Sequence, residues 1–216
     1  PQPQSSMSVI DQHTGYVKAL IGGRGEKTAS LTLTRATDTT RQPGSTFKIL
    51  AAYSAALDAG GLTLASVQDD APYTYAGANG KSVNNYDRRY RGFTTLREAI
   101  TDSINIVTVK TLAQAGVSLG WQYVQEYGFT TVDSRDMNEA LALGGITQGV
   151  SNLELTAAYA AIANQGTYIK PKFYTKILDH DGNVLIDNTT PESHTVIKDT
   201  TAWLLTSAME DVMTSG

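Results

Sequence analysis

The run from Phe47 through Lys48-Ile49-Leu50-Ala51-Ala52-Tyr53 to Gly60-Gly61 would be apolar on nearly every side of a helix. A surface helix carries a polar face opposite its apolar stripe, so a helix without one belongs at the centre of a fold. This predicts a buried helix over 45–59, ended by the glycine pair, with the other elements packed around it. Pro43-Gly44 breaks whatever precedes, which puts Ser45 at the helix N-terminus. Lys48 follows at i+3, so the hydroxyl and the amine share one face.

That pairing has a chemical reading. A serine hydroxyl is a weak nucleophile and needs an adjacent base. A lysine supplies one when its ammonium form is disfavoured, and both apolar neighbours and a helix N-terminus work in that direction. The competing reading is ordinary: Ser45 as a helix cap and Lys48 as a solvated side chain. The motif by itself leaves both open.

The formal charge of −4 gives no basis for nucleic acid as a partner. There is no cysteine, which excludes disulfides, thiol catalysis and thiolate metal sites but leaves the compartment open. The three histidines, His13, His180 and His194, fall at turns and strand ends, outside any triad or metal-binding spacing. No metal and no cofactor is implied. No apolar run reaches the length of a membrane span. The chain opens without an initiator methionine and stops just after a helical pattern, so both ends read as cuts in a longer protein.

Along the chain, segments 7–11 and 16–21 form a hairpin pattern, and Leu31-Thr32-Leu33-Thr34 suggests an edge strand or an extended approach to the central helix. Residues 69–93 make a long aromatic-rich passage, either a binding loop or an insertion held by tyrosine packing. A short helix over 95–100 has Thr94 or Thr95 as cap and Glu98 in its first turn. Ser103-Ile104-Asn105 follows, then an apolar helix over 106–115 closed by Gly116. Residues i and i+2 do not share a helix face, so Ser103 and Asn105 point together only across a break; either is equally placed to cap the second helix. Further helices are expected over 121–127 and over 153–163, the latter capped by Ser151 or Asn152. Its small side chains suggest close packing on a neighbouring helix. The last third is strand-like at 168–171, 173–178, 184–187 and 195–197, with a turn at 180–183, then a helix over 200–213 capped by Asp199. Three look-alikes fail on spacing: Gly22-Gly23-Arg24-Gly25 and Gly80-Lys81-Ser82 as phosphate loops, and Asp179-x-Asp181-x-Asn183 as a calcium loop.

Ser45-x-x-Lys48 followed by Ser103-x-Asn105 is the motif order of penicillin-recognising acyl-serine enzymes. The chain resembles the transpeptidase domain of class A penicillin-binding proteins. The likeness extends to Arg41-Gln42-Pro43-Gly44-Ser45-Thr46-Phe47-Lys48, Asn85-Tyr86-Asp87, Tyr90-Arg91-Gly92, Thr95-Leu96-Arg97-Glu98-Ala99, Leu143-Gly144 through Gly149-Val150-Ser151-Asn152-Leu153-Glu154-Leu155, and Ala158-Tyr159-Ala160. It implies an α+β fold, with a central antiparallel sheet flanked by helices and a mostly helical subdomain carrying Ser103-x-Asn105. It further implies that Ser45 is the nucleophile, Lys48 takes its proton, Ser103 relays a proton towards the leaving amine, and Asn105 binds the substrate amide. The substrates implied are peptidoglycan stem peptides ending in D-Ala-D-Ala, with β-lactams as covalent ligands, at the extracytoplasmic face of a bacterial membrane. A β-lactamase and a non-catalytic β-lactam sensor on the same fold are the alternatives. Two departures stand out: Ile49 replaces a common proline, and the family's Lys-Ser/Thr-Gly motif does not occur in residues 1–216. The expectation is therefore that 1–216 is the N-terminal and central part of one transpeptidase domain, completed by a further polypeptide segment.

Overall fold

The computed structural model describes residues 3–76 and 80–216, so 77–79 of the aromatic-rich passage lie outside the described residues. Six α-helices and twelve short strands are interspersed among the described residues, in keeping with the expected α+β class. The hairpin β1 (Met7–Ile10) and β2 (Val17–Ile21) forms as the alternation predicts. Leu31 to Thr34 forms no strand. Instead the edge segment is β3 (Thr40–Arg41), which leads directly into the Pro43-Gly44 turn.

The central helix is irregular in a way its pattern did not reveal. Gly44–Thr46 makes a tight 3-10 turn, Ile49–Tyr53 a π-helical turn, and only α1 (Ser54–Asp58) is regular. The wide turn has a local cause: Ile49 O accepts the Ser54 backbone N–H, five residues on, and also the Ser54 hydroxyl at 2.9 Å. Burial is as expected, with Phe47, Leu50, Ala51, Ala52 and Tyr53 all at zero exposure. Each large side chain so buried contributes about 2 kcal/mol.

The passage after it is ordered by pairing. β4 (Val67–Asp70), β5 (Tyr73–Thr74), β6 (Ser82–Val83) and β7 (Gly92–Thr95) make two antiparallel ribbons, β4–β7 enclosing β5–β6. Tyrosine packing accounts for only part of it. Tyr73 and Tyr75 lie against the core, and Tyr73 donates to the buried Glu139 at 2.9 Å, but Tyr86 and Tyr90 are exposed.

α2 (Leu96–Thr101) starts on a reciprocal cap, in which Thr95 and Glu98 each satisfy the other's backbone N–H. α3 (Asn105–Ala115) starts differently: its cap residue is Ile104, so neither Ser103 nor Asn105 caps it. α4 (Val117–Glu126) begins four residues before the predicted start, and 3-10 turns follow at Ser134–Asp136 and Glu139–Leu143. β8 (Val150–Ser151) pairs with β3, and α5 (Asn152–Ala163) is capped by Ser151 with Glu154 reciprocating.

Beyond it lie β9 (Thr167–Ile169), β10 (Lys176–Leu178), β11 (Val184–Asp187) and β12 (Ser193–Thr195), paired as β9–β12 and β10–β11. The last strand sits two residues earlier than expected, because Val196 and Ile197 leave the ribbon and turn into the core. Asp199 is likewise the first residue of α6 (Asp199–Thr214) and not its cap, which is Lys198. Every pairing of named strands is antiparallel and two strands wide among the described residues. The Ala-rich α5 packs on β1, β9 and α6, as its small side chains predict. Among the described residues, no helix is long and apolar enough to cross a membrane.

Candidate active site

The break between α2 and α3 is held open by one residue. Ser103 adopts a left-handed backbone at φ 52° while its N–H still reaches Ile100 O at 3.2 Å. For a non-glycine residue this costs on the order of 1 kcal/mol or more. It turns both the Ser103 carbonyl and its hydroxyl towards the central helix, and lets Asn105 face the same point from the first turn of α3.

That point is the Lys48 amine. Lys48 Nζ donates to Ser103 O at 2.6 Å, to Ser103 Oγ at 2.9 Å and to Asn105 Oδ1 at 2.7 Å. The lysine is 3% exposed, and burial pushes its pKa down from 10.5 to about 8. Desolvation penalises the ammonium, so a substantial neutral fraction exists near neutrality.

Ser45 remains exposed on the 3-10 turn and lines a cavity of about 310 Å³ with Lys48, Ser103, Tyr53 and Tyr159. The opposite wall comes from Met209, Val212 and Met213 of α6. α6 is drawn onto α2 by Arg97, whose Nε donates to Asp211 at 2.6 Å and whose NH2 reaches Ser207 O and Oγ. Ser45 and Lys48, expected from their spacing to share a face, both line this cavity. The lysine's three hydrogen bonds nevertheless go to the other motif.

Two contacts hold the Ser45 turn. Gly144, left-handed at φ 72°, lies so close to Gly44 that a Cβ would overlap the Gly44 carbonyl oxygen and sit 2.6 Å from its nitrogen. Tyr159 of α5 donates its hydroxyl to Thr46 O at 2.6 Å. The Gly144-Gly145 pair that closes a short apolar segment was the available signal for the first; Tyr159 lay in the family-like Ala158-Tyr159-Ala160, which did not announce its contact with Thr46. Neutral donors and acceptors around an amine, a neighbouring hydroxyl and an apolar cavity wall suit acyl transfer through serine.

Comparison with known proteins points the same way. A family model described as the penicillin binding protein transpeptidase domain matches residues 6–216. Penicillin-binding protein 1A of Clostridium tetani is 39% identical over 202 residues, covering 87% of this chain and 25% of that protein. Penicillin-binding protein 1F of Bacillus subtilis is 37% identical over 213 residues, covering 99% of this chain and 28% of that protein. The chain thus spans about a quarter of the length of these curated relatives. Among solved structures, penicillin-binding protein 1A from Haemophilus influenzae superposes with a TM-score of 0.83 at 26% identity, over 99% of this chain and 36% of that one. PonA1 from Mycobacterium tuberculosis, solved in complex with penicillin V, gives 0.78 at 24% identity over 96% of this chain and 55% of that one, a likeness of fold.

Proposed function

The chain belongs to the penicillin-binding protein transpeptidase family, and on that basis we propose that it carries a serine D,D-transpeptidase site that cross-links peptidoglycan and is acylated by β-lactams. The observation that carries this is the convergence of Ser103 and Asn105 on the buried Lys48 amine, beside Ser45 in one cavity.

In this reading the Ser45 hydroxyl attacks the carbonyl carbon between the two terminal D-Ala residues of a stem peptide. Its proton passes to neutral Lys48 as the C–O bond forms. A proton then reaches the departing D-Ala nitrogen through Ser103 as the C–N bond breaks, leaving an ester on Ser45. An amine from a second stem peptide attacks that ester and restores the serine. The Ser45 backbone N–H serves in this reading as an oxyanion donor, a contribution typically worth about a hundredfold or more in rate. Asn105 is the residue for the substrate amide, since its side chain already spans from Lys48 to the Asn84 carbonyl. A β-lactam follows the same first step, with its ring nitrogen as leaving group. Peptidoglycan as substrate implies action at the extracytoplasmic face of a bacterial membrane.

The test is covalent labelling of the full-length protein by a fluorescent penicillin, located by peptide mass mapping. The expected result is a long-lived adduct on Ser45, absent from Ser45→Ala, together with loss of stem-peptide cross-linking in that variant. An adduct released within seconds would instead make the protein a β-lactamase, and unchanged cross-linking by Ser45→Ala would sink the catalytic reading.

A further inference from the structure

We propose that Asn85 is the positioning residue that sets Asn105 on Lys48, and that the buried Asp70 fixes the orientation of its amide; this rests on the reading of Ser45 and Lys48 as a catalytic pair. Asn85 lies between β6 and β7, is nearly inaccessible and does not line the Ser45 cavity. Its Oδ1 accepts from Asn105 N at 3.1 Å and from Ile106 N at 3.2 Å. Those N–H groups open α3 and have no partner within the helix. Ile104, at the cap position, offers no side-chain acceptor. Asn85 therefore caps a helix from another part of the chain.

The other end of the amide is equally committed. Asn85 Nδ2 donates to both Asp70 oxygens, at 2.8 and 2.9 Å, and to Arg89 O at 2.8 Å. Asp70 is fully buried, and its Oδ2 also takes the Arg91 N–H at 2.9 Å with the Arg91 guanidinium at 3.9 Å. An ionised carboxylate can only accept, so the amide must present its NH2 to Asp70 and its oxygen to α3. The preceding residue completes the grip: Asn84 O accepts from Asn105 Nδ2 at 2.8 Å. Asn105 is thus held by its backbone through Asn85 and by its side chain through Asn84. That leaves its Oδ1 on the lysine. A buried polar network that is fully satisfied rigidifies what it touches, and here it touches the residue that orients the proposed base.

The measurement is the acylation of the full-length protein by a fluorescent penicillin, resolved into the limiting acylation rate and the concentration for half-saturation, per folded molecule. Asn85→Ala should lower the limiting rate roughly 10- to 100-fold, as sub-ångström to ångström misplacement of a catalytic group does, with little change in half-saturation. Asn85→Ala acylating within about twofold of the parent would overturn the inference while leaving the functional reading intact. A parent that takes no adduct on Ser45 would overturn the functional reading, and this inference with it. Should Asn85→Ala not fold, the double variant Asp70→Asn/Asn85→Asp decides. It keeps an acceptor on the α3 N–H groups and the pairing between positions 70 and 85, and gives up the donation to Arg89 O, so a near-parental limiting rate supports the inference. A loss of roughly tenfold or more in the folded double variant overturns it.

Discussion

The depressed basicity of Lys48 makes the pH dependence of acylation a direct reading of the site. At pH 7 an ordinary lysine with a pKa of 10.5 is neutral in roughly 0.03% of molecules. With the pKa lowered to about 8 by burial, roughly one molecule in ten is neutral. Burial alone therefore raises the population of neutral Lys48, the form the proposed base must take, by about 300-fold at neutrality. The hydrogen bonds sharpen the point. An ammonium has three protons, and all three are engaged, by Ser103 O, Ser103 Oγ and Asn105 Oδ1. Loss of one proton leaves two donors for the two pure acceptors and frees a lone pair. That lone pair is the one acceptor the amine offers, and in the proposed mechanism it takes the Ser45 proton. The second-order rate constant for labelling by a fluorescent penicillin should climb about tenfold per pH unit below about pH 8 and level off above it. A rate indifferent to pH between about 6 and 9, or one still climbing beyond about pH 10, would refute the assignment of Lys48 as the base.

The same shift has a consequence for stability. Below about pH 8 Lys48 is protonated in both the folded and unfolded states, and the full burial penalty is present. As pH rises from about 8 towards 10.5, the folded state gives up the proton first, so the unfolded state holds more protons and stability increases. The shift corresponds to about 3 kcal/mol; Lys48→Met should remove this component of the pH slope in urea unfolding and should also abolish labelling. Gly144→Ala should destabilise by about 1–3 kcal/mol from its left-handed backbone, and by more through overlap with Gly44. Thermal melts would report the cost, and labelling per folded molecule should fall because the Ser45 turn is displaced.

What could be read without coordinates was chiefly local. Thr95 with Glu98 and Ser151 with Glu154 are caps whose two halves lie three residues apart, so the spacing contains the interaction. The Ser45 turn was legible for the same reason. The approach of Ser103 and Asn105 to Lys48 could only be inferred from motif order, because residues two apart need a backbone reversal that the residue names do not announce. The π-turn was hidden too, since it arises from a Ser54 hydroxyl that the apolar pattern treats as a minor blemish. Asn85 escaped as a cap because caps are sought beside the helix they serve, and this one is 20 residues upstream. The late strands failed at their edges where tertiary packing overrode alternation: Val196 and Ile197 are β-formers, but the core claimed them.

The left-handed conformation of Ser103 also bears on how this position can change. Glycine would take that backbone without penalty, and asparagine more readily than serine. Selection for foldability alone would therefore drift away from serine, whereas a hydroxyl against Lys48 is available only if serine stays. The two demands oppose each other at one residue. Engineering that pools stabilising substitutions without regard to the site would be drawn to position 103 early, and would obtain a sturdier protein by erasing the group that, in the proposed mechanism, passes the proton on.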